Sequence, residues 1–143
     1  MEYMDNANWQ EVIKIDVNIT NIEKVESNNS QVVMISFDGT ASGEFFNGSI
    51  LPGAVDTQKQ ISDKMLSLSA RYILSGKDFM DQNCKIFIEN NGIVKEGDNI
   101  FYATPKILTD STNLKWLESA SLESHVIPHK NGVEVLIFST QYK

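Results

Sequence analysis

The chain has 143 residues, with twelve Lys plus Arg against nineteen Asp plus Glu and a formal charge of −7. That length suits one domain burying roughly 70% of the surface its unfolded chain exposes, a core that needs neither disulfide nor structural metal. An acidic pI near 4.7 with scattered lysines offers no basic stripe for nucleic acid; no apolar run approaches the roughly 20 residues that span a bilayer; and a lone Cys84 forms no internal bridge, which suits a reducing cytoplasm.

The opening stretch, MEYMDNANWQ, is acidic and polar and does not read as a secretory or transit segment. Residues 1–8 carry no periodicity and are expected to be a flexible tail before a single domain over 9–143. From Trp9 a period of two dominates: Ile13, Ile15, Val17 and Ile19 alternate with Lys14, Asp16 and Asn18, the pattern of a half-buried strand. A polar turn over 23–30 precedes strands at 31–37 and 43–51. Residues 52–65, PGAVDTQKQISDKM, lack strand periodicity and read as a long connection of the kind that is often functional. Strands at 66–74, 84–90 and 99–108 follow, then a short helix over 110–117 capped by Asp110 or Ser111, with Leu114 and Leu117 on one face as a barrel plug. Two final strands, 118–127 and 133–141, flank Lys130-Asn131-Gly132-Val133, read as a type I′ hairpin that sets His129 opposite Glu134. About eight short strands, one helix and no βαβ rhythm make an all-β fold, a closed antiparallel barrel without exposed edges.

The hairpin joining 66–74 to 84–90 places Arg71, the chain's single arginine, opposite Glu89, and Tyr72 opposite Ile88. Leu68, Ala70, Tyr72, Leu74, Ile86, Ile88 and Asn90 then share one face; serines, Arg71, Lys85, Phe87 and Glu89 share the other. Either the mixed face points to solvent and Arg71–Glu89 is a weak surface pair, or it lines the lumen and Arg71 anchors an acidic or carbonyl-bearing ligand. Tyr72 and Asn90 join the candidates because a bulge or one-residue slip would turn them inward. In the glycine-rich run 39–48, the glycines suggest a bulge or a close approach, and Glu44 falls on the face of Phe46 and Gly48; turned inward, it is a candidate general base. Asp56, with Gln58, lies in the 52–65 connection where a barrel mouth would bind ligand, and is the second catalytic candidate. His125 and His129 are four apart on a strand, about 13 Å, and do not form a metal site. No phosphate-cradling loop, nucleophile elbow or dinucleotide fingerprint occurs, so no cofactor or metal is expected.

The run Gly43-Glu44-Phe45-Phe46-Asn47-Gly48-Ser49-Ile50-Leu51-Pro52-Gly53-Ala54-Val55-Asp56-Thr57-Gln58 resembles the signature of domain-of-unknown-function family 3237. So do Ser69-Ala70-Arg71-Tyr72-Ile73-Leu74, Ile86-Phe87-Ile88-Glu89-Asn90-Asn91-Gly92 and Phe101-Tyr102-Ala103-Thr104-Pro105 in that order, followed by Lys115-Trp116-Leu117 and a final long strand. The resemblance covers about residues 10–142 and implies a compact bacterial or fungal β-barrel similar to calycins and to allene-oxide-cyclase-like barrels. It implies a motif arginine at Arg71 but no particular reaction. Many members carry Asp-Trp where this chain has Asp56-Thr57.

Together these readings favour a cytoplasmic barrel that binds a small molecule bearing a carboxylate or carbonyl, without nucleic acid or membrane partners. Its lumen is expected to be apolar (Phe46, Phe87, Tyr102), with Arg71, Glu89, Glu44 and Asp56 as polar anchors. Two alternatives stand beside it. One is a cyclase or isomerase using Glu44 or Asp56 on the same barrel; the other is a non-catalytic module that forms a homo-oligomer through a barrel wall.

Overall fold

A computed structural model describes residues 9–97 and 101–140. The expected tail over 1–8 and the first residues of the strand expected at 99–108 lie outside the described residues. Nine strands are described: β1 (Gln10–Glu26), β2 (Gln31–Ser42), β3 (Phe46–Ile50), β4 (Val55–Ser62), β5 (Met65–Asp78), β6 (Asn83–Lys95), β7 (Phe101–Thr109), β8 (Leu122–His129) and β9 (Gly132–Ser139). Every pairing is antiparallel, in the order β1-β9-β8-β7-β6-β5, then through β3 and β4 to β2 and back to β1. The barrel is closed.

Nine strands make eight staves because β3 and β4 share one. Both lie between β2 and β5: β3 pairs with Leu74–Asp78 of β5 and β4 with Met65–Arg71. Between them the chain makes a short excursion at Pro52-Gly53, pinned by Leu51 N–H to Ile73 O (2.8 Å) and Phe37 N–H to Ala54 O (3.3 Å). The expected 52–65 connection is therefore mostly a strand. Its alternation was hidden because β4 turns polar residues, Asp56 and Gln58, to the inside, where a strand signal requires apolar ones.

In β1, Ile13, Ile15 and Val17 are buried as alternation requires. Val12 is buried beside them because a register shift between Glu11 and Ile13 leaves it with no opposite residue on β9. The close approaches marked by glycine are between backbones. A Cβ on Gly39, whose φ is +149°, or on Gly132 would lie 1.9 Å from the Asp16 or Val17 carbonyl oxygen respectively. That packing also corrects the last hairpin: His129 pairs with Gly132 and Ile127 with Glu134, so Lys130-Asn131 form the turn. Gly132 is used for its missing side chain against β1, not for a positive φ.

A 3-10 helix, Thr112–Glu118, closes one end. Ser111 is its N-cap and accepts from Leu114 N–H at 3.2 Å, while Asp110 accepts from Lys85 N–H instead. Leu114 and Leu117 are buried against the lumen core that includes Ile13, Phe46, Leu74 and Ile86. Each such side chain contributes roughly 1.5–3 kcal/mol through burial. The plug anticipated from the i, i+3 leucines is present.

Candidate functional site

The other half of the lumen is not filled. A cavity of about 160 Å³ lies there, with every one of the eight staves contributing to its wall. Most of that wall is short or β-branched: Val17, Ile35, Ala70, Ala103, Val133 and Val135. Side chains of this size leave space between facing strands that longer ones occupy at the plugged end. Four polar side chains interrupt the apolar lining: Asp56, Gln58, Tyr72 and Asn90.

The pairing explains why these four meet. Ile35, Asp56, Ala70, Asn90 and Pro105 are successive partners across β2, β4, β5, β6 and β7, so their side chains point the same way. Tyr72 is the next residue on that face of β5. Arg71 pairs with Glu89 and Tyr72 with Ile88, so the hairpin register read from the sequence holds, and the apolar face is the inner one.

Asn90 accepts from the Ser124 hydroxyl at 3.0 Å, and both are buried. Gln58 Nε2 donates to Asp56 Oδ2 at 3.0 Å, which orients the carboxylate. Asp56 Oδ1 and the Tyr72 hydroxyl are buried without a hydrogen-bond partner in the protein. Burial pushes the Asp56 carboxyl above its ordinary range, and the Gln58 amide and the Ser69 backbone N–H offset only part of this. Burial, and then the nearby Asp56 charge, push the Tyr72 phenol well above its ordinary range, so it stays a donor. Phe37 meets the Tyr72 ring edge-on at 5.4 Å and fixes its position.

Arg71 and Glu89 are on the outside. The side chain of Arg71 is 63% exposed, and its Nη2 lies 3.5 Å from Glu89 Oε2. Arg71 borders a shallow outer groove with Lys59, Ser67 and Asn91. As lumen anchors both are corrected. Taking a guanidinium, a carboxylate and Lys85 out of water costs far more than leaving them wet, whereas the opposite face has little to lose. Phe87 is outside for the same reason, in a row with Ile73 and Leu108 across β5, β6 and β7.

Glu44 is also corrected. It lies in the turn before β3 begins, where alternation has no force; it is exposed and accepts from Gln10 Nε2 at 3.4 Å. Phe46 is buried, but among the described residues it packs in the filled half rather than lining the cavity. Tyr102 belongs to β7, and its side chain lies outside the described part of the structure. Cys84 is buried, its thiol pushed up by burial and then by the Asp78 and Asp110 charges, which disfavours the reactive thiolate. Among the described residues no three His, Cys, Asp or Glu side chains are grouped to hold a metal, and no helix is long and apolar enough to cross a membrane.

Known proteins share this architecture. A UPF0311 protein of Clostridium acetobutylicum is 37% identical over 95 residues, 55% of this chain and 58% of that protein, so the match spans little more than half of the relative. A crystal structure of a protein of unknown function from the same organism superposes with a TM-score of 0.82 at 26% identity, covering 92% of this chain and 98% of the other. A β-barrel-like protein from Acinetobacter baumannii superposes with a TM-score of 0.75 at 18% identity, covering 96% and 99%, and shows the fold alone. The model of the family described as "Protein of unknown function (DUF3237)" matches residues 8–139, and the chain belongs to that family.

Proposed function

We propose that the protein binds a small, largely apolar molecule in the lumen cavity, with Asp56, Tyr72 and Asn90 as the polar contacts. One observation carries this reading. Asp56 Oδ1 and the Tyr72 hydroxyl are buried at the wall of an otherwise apolar cavity and have no partner in the protein. An unpaired buried polar group costs about 1–3 kcal/mol, so two of them on neighbouring strands of one cavity wall support the reading that a ligand completes their hydrogen bonds.

Size and charge narrow the ligand. An apolar cavity of about 150 Å³ holds a benzene-sized molecule, so a cavity of about 160 Å³ suits a single ring with a short substituent. Tyr72 offers a donor and Asp56 an acceptor, which suits a carbonyl or hydroxyl. A carboxylate would face the Asp56 charge with no cation among the described lining residues, so of the two ligand classes expected from the sequence the carbonyl-bearing one is favoured. The cytoplasm remains the compartment we assign, on the single buried, unbridged thiol.

Thermal denaturation with millimolar cyclohexanone, phenol and benzoate tests this. Cyclohexanone and phenol are expected to raise the melting temperature and benzoate to leave it unchanged, because a ligand that binds only the native state stabilises it. Ala70→Leu places extra methylenes in the cavity and is expected to abolish the shift in a folded protein. A shift that survives Ala70→Leu would place the ligand elsewhere and end the reading.

A further inference from the structure

We infer that the cavity is a site of enolisation, in which Asp56 removes the proton next to the carbonyl of a small cyclic ketone while the Tyr72 hydroxyl holds the carbonyl oxygen. This rests on the binding reading above and adds chemistry to it. The two groups are arranged for different tasks. Asp56 lines the cavity with one carboxylate oxygen tied to Gln58 at 3.0 Å, which orients the group, and with the other buried without a side-chain partner. Tyr72 is 4% exposed, its ring is held by Phe37, and its hydroxyl has no competing partner.

Both side chains reach the same wall of the cavity. Asp56 is paired with Ala70, two residues from Tyr72, so the two side chains are diagonal neighbours on the inner face. Diagonal neighbours in an antiparallel pair lie about 7–8 Å apart, within mutual reach of long side chains. A ketone's α-carbon and its oxygen are separated by a single bond angle. Enolisation needs each protein oxygen about 2.6–3.2 Å from its own substrate atom.

The step is balanced without any other reactant. The α C–H bond breaks and its proton forms an O–H bond on Asp56 Oδ1. The electron pair left on carbon becomes a C=C bond as the carbonyl π pair moves onto oxygen, where the Tyr72 O–H donates to it. Return of the proton to the same carbon exchanges it; in a β,γ-unsaturated ketone, return to the γ carbon moves the double bond into conjugation. Apolar walls strengthen the hydrogen bond to the developing oxyanion, and a donor fixed in advance needs no reorganisation. A carboxylate raised by burial, with a neutral phenol donor on the same wall, is an arrangement that serves enolisation in other folds.

The test follows deuterium uptake by cyclohexanone in heavy water by proton NMR, with binding measured in parallel by thermal shift. Wild-type protein is expected to accelerate exchange over buffer, with a rate that rises with pH as Asp56 ionises. Asp56→Asn is expected to return exchange to the buffer rate. Tyr72→Phe, which retains the ring and its packing, is expected to slow exchange by roughly 10²–10³-fold. It serves as the independent variant should the aspartate change impair folding. Binding with exchange at the buffer rate overturns the enolisation and leaves the binding reading intact; no thermal shift with cyclohexanone overturns both. Full exchange in either variant also overturns the assignment.

Discussion

The two halves of the lumen hold one inward aspartate each, and the two are treated in opposite ways. At the plugged end Asp78 is buried with both oxygens satisfied. Its Oδ1 accepts from the Met80 and Gln82 backbone N–H groups at 3.0 and 3.1 Å, and its Oδ2 from the Ser111 hydroxyl at 2.8 Å and the Asn113 amide at 3.1 Å. Burial alone would raise its carboxyl, but the Ser111, Gln82, Asn113 and Met80 donors together hold it below the usual range. At the open end Asp56 keeps one oxygen bare and its carboxyl is raised. The first aspartate ties the β5–β6 turn to the plug helix. The second is left available. Stability and binding capacity are thus divided along the axis of one barrel.

Changes at the plugged end should disturb folding and spare the cavity. Leu114→Ala removes a fully buried side chain and is expected to destabilise by about 2–5 kcal/mol in urea unfolding, with the ketone thermal shift retained. Asp78→Ala strands four donors and should cost roughly 2–3 kcal/mol by the same measurement. If either change removed ligand binding while the protein stayed folded, the division between the halves would fail.

Acidity separates the two aspartates further. Asp78 has a lowered folded pKa, so its contribution is present above the ordinary carboxyl range and is lost as pH falls through that lowered value. Asp56 has a raised folded pKa, so its contribution is complete below the unfolded value and is lost as pH rises through the folded one. Asp56→Asn is therefore expected to raise the melting temperature at pH 8, and the gain should disappear as pH approaches the ordinary carboxyl range. A gain that persists in acid would mean the stabilisation has another origin.

The smallest effect is expected outside the barrel. Arg71→Leu breaks an exposed ion pair worth about 0–1 kcal/mol. Melting temperature and ketone shift should both stay within error of wild type. Loss of the shift would restore Arg71 as a ligand anchor and overturn the inside-outside assignment of the β5–β6 hairpin.

Much of this contrast is legible in the amino acids. The β5–β6 register, Arg71 with Glu89 and Gly76 with Cys84, follows from matching alternation on the two strands. The plug leucines follow from helical spacing. Tyr72 and Asn90 carried a usable signal, being the polar groups on an otherwise apolar face; reading that face as the interior from its hydrophobicity alone would have found them first. Asp56 was found for a different reason from the one that places it: it is no loop residue, but the inward residue of a strand.

Local pattern and composition suffice for the closed antiparallel barrel, its long hairpins and its helical plug, because strand alternation and capping are properties of neighbouring residues. Three features depend on pairing with distant segments. They are the sharing of one stave by β3 and β4, the turn at Lys130-Asn131 set by Gly132 against β1, and the outward position of Glu44. The cavity belongs with them. Its empty volume arises where short side chains from eight separate staves face one another, and no single strand encodes that coincidence.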